Sequence, residues 1–367
     1  MQLTNRLKSA ATLGALLLTA HHPAHAVVLQ QKWVPNQQLV YDLSLNGTLN
    51  LLMEDDASSL FAGMPLEVDM RLQNETVFDT LAVDEAGTGT VAVRLDRLNL
   101  KASTFGAQLL IKDGRINVLF GGKSVGANKE MDLDDIKNPP LAWRISRQGR
   151  LEGIVPIKGR RIKVLGEQDP AAGKSERKRG PLPFKLSDFV QFFISRSLPT
   201  LWPEHEVKTG DKWAAEFRWP PANQLGVAVE AVPTTGNFEL TLRGEEEIYG
   251  RKAQRIAIDG TITADQGKAV TGKAGDKPGS ATSLSARQHV KGDLWLDPEA
   301  GQMVRLELDL ESQARQKRTG APARSGRAGS WGDFAGTLQV QLRSVSAVTP
   351  EANATTKADA QPTPPGS

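Results

Sequence analysis

The chain has 367 residues, with 45 Lys and Arg against 42 Asp and Glu, and no cysteine. Its length allows two ordinary domains, and the absence of thiols excludes disulfides, thiolate nucleophiles and zinc–thiolate sites. A formal net charge of +3 is far from the strong basic excess of a dedicated nucleic-acid binder, so nucleic acid is excluded as a partner.

Residues 1–26 read as a secretory signal peptide. Arg6 and Lys8 give a basic start, Leu13 to Ala20 an apolar run, and Ala24-His25-Ala26 an A-x-A cleavage site. Cleavage after Ala26 makes Val27 the first residue of a periplasmic or secreted protein and lowers the formal charge to +1. The apolar run is too short to span about 30 Å of hydrocarbon. No cysteine stands near the site to carry a lipid. The expectation is therefore neither an integral membrane protein nor a lipoprotein.

From Val27 onward the sequence reads as mainly β. Leu39 to Leu45, Leu66 to Leu72, Thr90 to Leu95 and Leu98 to Leu100 alternate apolar and polar residues; in the second of these Leu66, Val68, Met70 and Leu72 share a face. Leu109 to Val118 is a predicted hairpin, because Asp113-Gly114 separates two apolar runs. Trp143 to Leu151 reads as another. In the second half, strands are predicted at Phe238–Gly244, Ala253–Gly260, Gly292–Asp297, Met303–Leu310 and Gly336–Leu342, with a turn over Pro298 to Gly301. One-sided alternation implies antiparallel sheet with one buried face.

One segment departs from this pattern. Ser187-Asp188 can cap a short apolar helix over 187–198 carrying Phe189, Val190, Phe192, Phe193, Ile194 and Leu198, ended by Pro199. Two roles fit it: a plug against a curved sheet, or a lid over an apolar cavity. Phe189, Phe192, Phe193 and the nearby Trp202 are the candidate ligand-binding residues. Stretches 167–181, 264–283 and 315–330 have little to bury and are expected to be unstructured. The domain reading is 27–165 for an N-terminal β domain, 166–181 for a basic linker, 182–348 for a C-terminal β domain and 349–367 for a disordered tail. Pro35 to Leu43 resembles Lys208 to Phe217, which leaves an internal duplication open.

Catalytic patterns fail on context. Gly122-Lys123-Ser124-Val125-Gly126 matches the hydrolase string G-x-S-x-G, yet no helix of apolar period follows it to form the strained elbow. A P-loop would need glycine at Asn117. His205 and His289 are far apart and lack metal-ligand spacing, and the acidic runs lack a calcium-loop layout. No catalytic residue, metal or cofactor is assigned.

Three patches carry a family resemblance: Leu201-Trp202-Pro203 with Val207 to Trp213, Gly250 to Ile256, and Gly292 to Asp297 with Gly301. Together they resemble uncharacterised exported bacterial proteins with a Gly-Asp-x-Trp turn, which look similar to periplasmic lipoprotein-carrier-like folds. The resemblance implies an envelope location and curved antiparallel half-barrels closed by helices. The expectation is two curved sheets or half-barrels with the short helix between or against them. The expected function is non-enzymatic binding of a lipid or other apolar or amphipathic ligand, or of an envelope protein. The alternatives are a structural interaction module with a filled core, and a hydrolase whose carboxylates the sequence does not single out.

Overall fold

The computed structural model describes residues 26–54, 65–125, 129–130, 137–139, 141–157, 202–219, 234–270, 281–319 and 329–347. Among the described residues the elements with full bounds are all strands. The N-terminal half contributes β1 (Gln37–Glu54), β2 (Pro65–Val83), β3 (Gly89–Thr104), β4 (Ala107–Lys112), β5 (Arg115–Phe120), β6 (Lys123–Ser124), β7 (Lys129–Glu130), β8 (Leu141–Ile145) and β9 (Leu151–Pro156). The C-terminal half contributes β10 (Lys212–Trp219), β11 (Thr234–Ile248), β12 (Arg251–Val270), β13 (Ala281–Asp297), β14 (Gln302–Thr319) and β15 (Gly329–Ala347).

Among the described residues these form one sheet rather than the two expected. Its order is β10-β11-β12-β13-β14-β15-β1-β2-β3-β4-β5-β6, with the β8–β9 hairpin on β3 and β7 on β5. The correction comes from the seam between the first strand and the last. β1 pairs antiparallel with β15 from Gln37↔Ala347 to Glu54↔Gly329, and with β2 on its other side. Alternation identifies the buried face of a strand and not its neighbour, so the pairing of the two halves was invisible in the sequence. The expected helix over 187–198, the linker 166–181 and the tail 349–367 lie outside the described residues.

Several strands run further than composition suggests. β12 continues to Val270 and pairs Ala269 with Thr282, and β14 continues to Thr319 and pairs Arg318 with Thr282. The expectation of unstructured chain is therefore corrected at 264–270, 281–283, 315–319 and 329–330, the last pair opening β15. The inward positions in and beside these stretches include Ala264, Ala286 and Ala314, too small to register as an apolar stripe, while backbone pairing with β13 carries the β12 and β14 extensions.

The predicted hairpins form. Asp113 and Gly114 both take positive φ, 48° and 88°, the requirement of a two-residue turn matched to sheet twist. At the β13–β14 turn, Asp297 Oδ1 accepts from the backbone N–H groups of Glu299 (3.0 Å) and Ala300 (2.9 Å), and Gly301 takes φ 62°.

The sheet curls on itself at one end. Residues 202–208 lead into β10 at one edge, and the Trp202 backbone N–H donates to the Gln148 carbonyl (2.8 Å) in the β8–β9 turn, which hangs on β3 near the other edge. Residues 27–33 cross the same end. Val27 exchanges backbone hydrogen bonds with Val207 (2.9 and 3.0 Å), Gln31 donates to Arg147 (2.7 Å), and Lys32 donates to Gly301 (3.1 Å). The Trp33 ring lies on Gly89, where an added Cβ would come within 2.5 Å of Cγ. Leu29, 1% exposed, is fixed in the core there. One hydrophobic cluster joins inner-face residues from β10 (Trp213, Phe217) to β5 (Ile116).

Candidate functional site

The inner face changes character within one row of side chains. Leu338 (β15), Leu45 (β1), Leu72 (β2), Leu100 (β3), Ile111 (β4) and Ile116 (β5) are in register across six strands, and none exceeds 9% exposure. Two residues along each strand, roughly 7 Å further on, the next row is Gly336, Gly47, Met70, Ala102, Leu109 and Val118, all half-buried. Beyond it Phe334, Leu49 and Val68, then Leu51 and Leu66, are half-buried as well. The core thus continues as an apolar strip toward the end of the sheet opposite the curl, here called the open end.

Glycine shapes the wall of this strip. A Cβ at Gly47 would lie 2.6 Å from the Phe334 ring and 2.5 Å from the Ala335 carbonyl, and one at Gly336 would lie 2.6 Å from the same ring. Phe334 therefore lies down over a glycine pair instead of standing into the interior. Phe238 does the same over its cross-strand partner Gly260, where a Cβ would come within 2.2 Å. Aromatic rings covering glycines preserve the ladder and keep the wall thin.

The outer face is polar and densely paired. A depression of about 710 Å³ there is lined by Lys212, Glu239, Arg243, Glu246, Arg255, Asp259 and Asp293 among others. Lys212 pairs with Glu239 at 2.8 Å, and Arg255 pairs with Glu246 at 3.1 Å and Asp293 at 2.9 Å. Trp295 sits between the guanidinium groups of Arg255 and Arg305, 5.6 and 5.2 Å from its ring centroid, and donates its indole N–H to Glu246 (2.9 Å). That hydrogen bond and the Arg255 guanidinium hold the Glu246 carboxyl below the usual range, while Asp293 and Glu246 push Arg255 up. These carboxylates neutralise cations across strands, so the depression is a solvated wall of ion pairs.

The residues singled out in the sequence fall in different places. Trp202 is 4% exposed and packs in the core at the curled end, away from the strip; Phe189, Phe192 and Phe193 lie outside the described residues. His289 is on the outer face with Nε2 2.9 Å from Asp259 Oδ1, and Glu204, His205 and Glu206 are exposed in a bend. Ser124 is exposed on short β6 with its hydroxyl 3.0 Å from Asn117 Oδ1, so the G-x-S-x-G string forms no elbow. The strip residues were missed as a site. The alternation Leu66-Val68-Met70-Leu72 marks their face, and only the register across strands shows where burial ends.

Among the described residues, no helix is long and apolar enough to cross a membrane. No family model matches the chain, and no curated protein does. Among solved structures, one described as lipid–protein interactions in lipovitellin is matched with 9% identity and a TM-score of 0.38, over 88% of this chain and 27% of that chain. This chain thus spans well under two thirds of that structure's length.

Proposed function

We propose that the protein binds an apolar or amphipathic molecule, such as a lipid, on the half-buried inner strip and performs no catalysis there. The observation that carries this reading is the step from the buried row Leu338–Leu45–Leu72–Leu100–Ile111–Ile116 to the half-buried row above it. Apolar side chains continue along the same strands after their burial has stopped. Such a surface is stabilised by an apolar ligand at about 25 cal/mol per Å² removed from water. The strip offers aliphatic and aromatic groups and no nucleophile or acid–base pair.

Export to the cell envelope belongs to the same reading. Its support is the A-x-A site at Ala24-His25-Ala26 together with the position of Val27, which starts the backbone pairing with Val207 one residue after the expected cleavage point.

Native mass spectrometry of the protein purified from the cell tests the reading, with titration of a fluorescent acyl probe as the second readout. A bound lipid mass and saturable probe capture are expected. Val68→Asp should abolish capture, because it places a charge on the half-buried strip, and should leave the buried row below it intact. Absence of both lipid and probe binding in the wild-type chain would overturn the proposal.

A further inference from the structure

The half-buried strip has a polar border. Its row Val68, Leu49 and Phe334 continues in register onto β14 and β13 as Ser312 and Gln288, and then reaches Ile262 on β12. Ser312 and Gln288 are cross-strand partners, both half-buried, between the buried Ile262 and the half-buried Phe334. Their neighbours on the same face are Val290 and Ala286 along β13, and Leu310 and Ala314 along β14. Strand alternation turns both side chains inward. Val290 and Leu310, two residues away, are core residues 4% exposed, and His289, next to Gln288, lies on the outer face.

Neither polar side chain is used by the fold. Among the described residues Gln288 and Ser312 make no side-chain hydrogen bond, and the apolar neighbours just named offer them none. Phe334, the cross-strand neighbour of Ser312, does not cover the hydroxyl. A Cβ at Gly47 or Gly336 would lie 2.6 Å from its ring, which places the ring toward β1 and away from β14. Cross-strand partners bring their Cβ atoms within about 5.5 Å, so one amide and one hydroxyl converge on a polar group lying over the pair. Apolar pockets fix the orientation of a ligand by a few such groups. With no base bonded to it, the Ser312 hydroxyl is a hydrogen-bonding group rather than a nucleophile.

The surroundings select the charge of that polar group. From β10 to β2, no charged side chain stands on the inner face in this row or in the rows on either side of it. An ionised carboxylate or phosphate there would lose water without gaining a counter-charge. An ester carbonyl needs only a donor, which the Gln288 amide or the Ser312 hydroxyl supplies, and a hydroxyl of the ligand can donate to the Gln288 side-chain carbonyl.

We infer that the molecule held on the strip is a neutral acyl ester, an acylglycerol in chemical class, with its chain over Phe334, Leu49 and Val68 and its ester carbonyl bonded by Gln288 and Ser312. The inference rests on the binding reading above and adds the chemistry of the ligand's polar end. Its test is displacement of the dye diphenylhexatriene from the full chain by monolauroylglycerol, by ionised laurate and by the hydrocarbon tridecane, each below the concentration at which it aggregates. Wild type should hold monolauroylglycerol roughly tenfold or more tighter than ionised laurate. The double variant Gln288→Met/Ser312→Ala removes both polar groups at similar volume. It should weaken monolauroylglycerol about tenfold, as for the loss of one or two net hydrogen bonds, and change tridecane by less than about twofold.

Should the double variant melt early, Gln288→Met alone supplies the decision, with a loss of about fivefold for monolauroylglycerol and little for tridecane. Equal weakening of monolauroylglycerol and tridecane would overturn the inference, because it would assign the change to the shape of the wall. So would a wild type that holds laurate as tightly as monolauroylglycerol, or variants that match wild type for the ester. A wild type that exchanges the dye for tridecane and not for monolauroylglycerol would also overturn it, and would leave the apolar strip standing as a binding surface. A wild type that captures no dye overturns the binding reading, and this inference with it.

Discussion

At the scale of the residue, the wall depends on glycines that give up their volume to a neighbour. Gly47→Ala places a Cβ against both the Phe334 ring and the Ala335 carbonyl, at 2.6 and 2.5 Å. The ring can lift, but the backbone oxygen cannot without disturbing the β1–β15 ladder. The expected cost in chemical denaturation is about 1–3 kcal/mol, the range for overpacking. Combining it with Phe334→Leu should recover part of that loss, and no recovery would mean that the carbonyl clash dominates. Glu246 makes a prediction about pH. Its carboxyl is held below the ordinary glutamate value of about 4.3 by hydrogen bonds from Trp295 and Arg255. A depressed folded-state value means that its stabilisation is complete above the unfolded value and disappears as pH falls through the folded one. Glu246→Gln should therefore melt below wild type at neutral pH, and the gap should narrow as the pH drops below about 4. A gap that stays constant with pH would assign the loss to packing of Trp295.

At the scale of the element, local signals were legible and long ones were not. Asp113-Gly114 predicted a hairpin because both residues tolerate positive φ, and the alternation from Leu66 to Leu72 predicted the inward face of β2. The ends of β12 and β14 were missed, since Ala264 and Ala314 alternate with polar residues without an apolar contrast. The crossing segment 27–33 was missed for a different reason: it forms no strand of its own, and its role rests on contacts with residues far along the chain. That segment can be tested through Leu29, which is 1% exposed at the curled end. Leu29→Ala should cost about 2–5 kcal/mol, as for other buried leucine truncations. Val28→Ala, at a neighbouring position 46% exposed, should change stability little. If both variants denature at the wild-type midpoint, the segment does not hold the curl.

At the scale of the whole molecule, the β1–β15 seam decides whether the chain is one folding unit or two. The domain reading places β1 in 27–165 and β15 in 182–348. The structure joins them along the full length of both strands, with Leu43↔Val340 and Leu45↔Leu338 in the buried core. Separating the halves would strip a partner from each of two long strands, expose their apolar inner faces and leave unpaired backbone edges. It would also break the contacts of residues 27–33 with Val207 and Gly301. The expected outcome is a single calorimetric transition for the full chain. Fragments 27–165 and 182–348 made separately should each lack a cooperative melt, and mixing them from denaturant should restore it in part. Two resolved transitions in the full chain, or a fragment that melts sharply alone, would show that the seam joins two domains already stable without it.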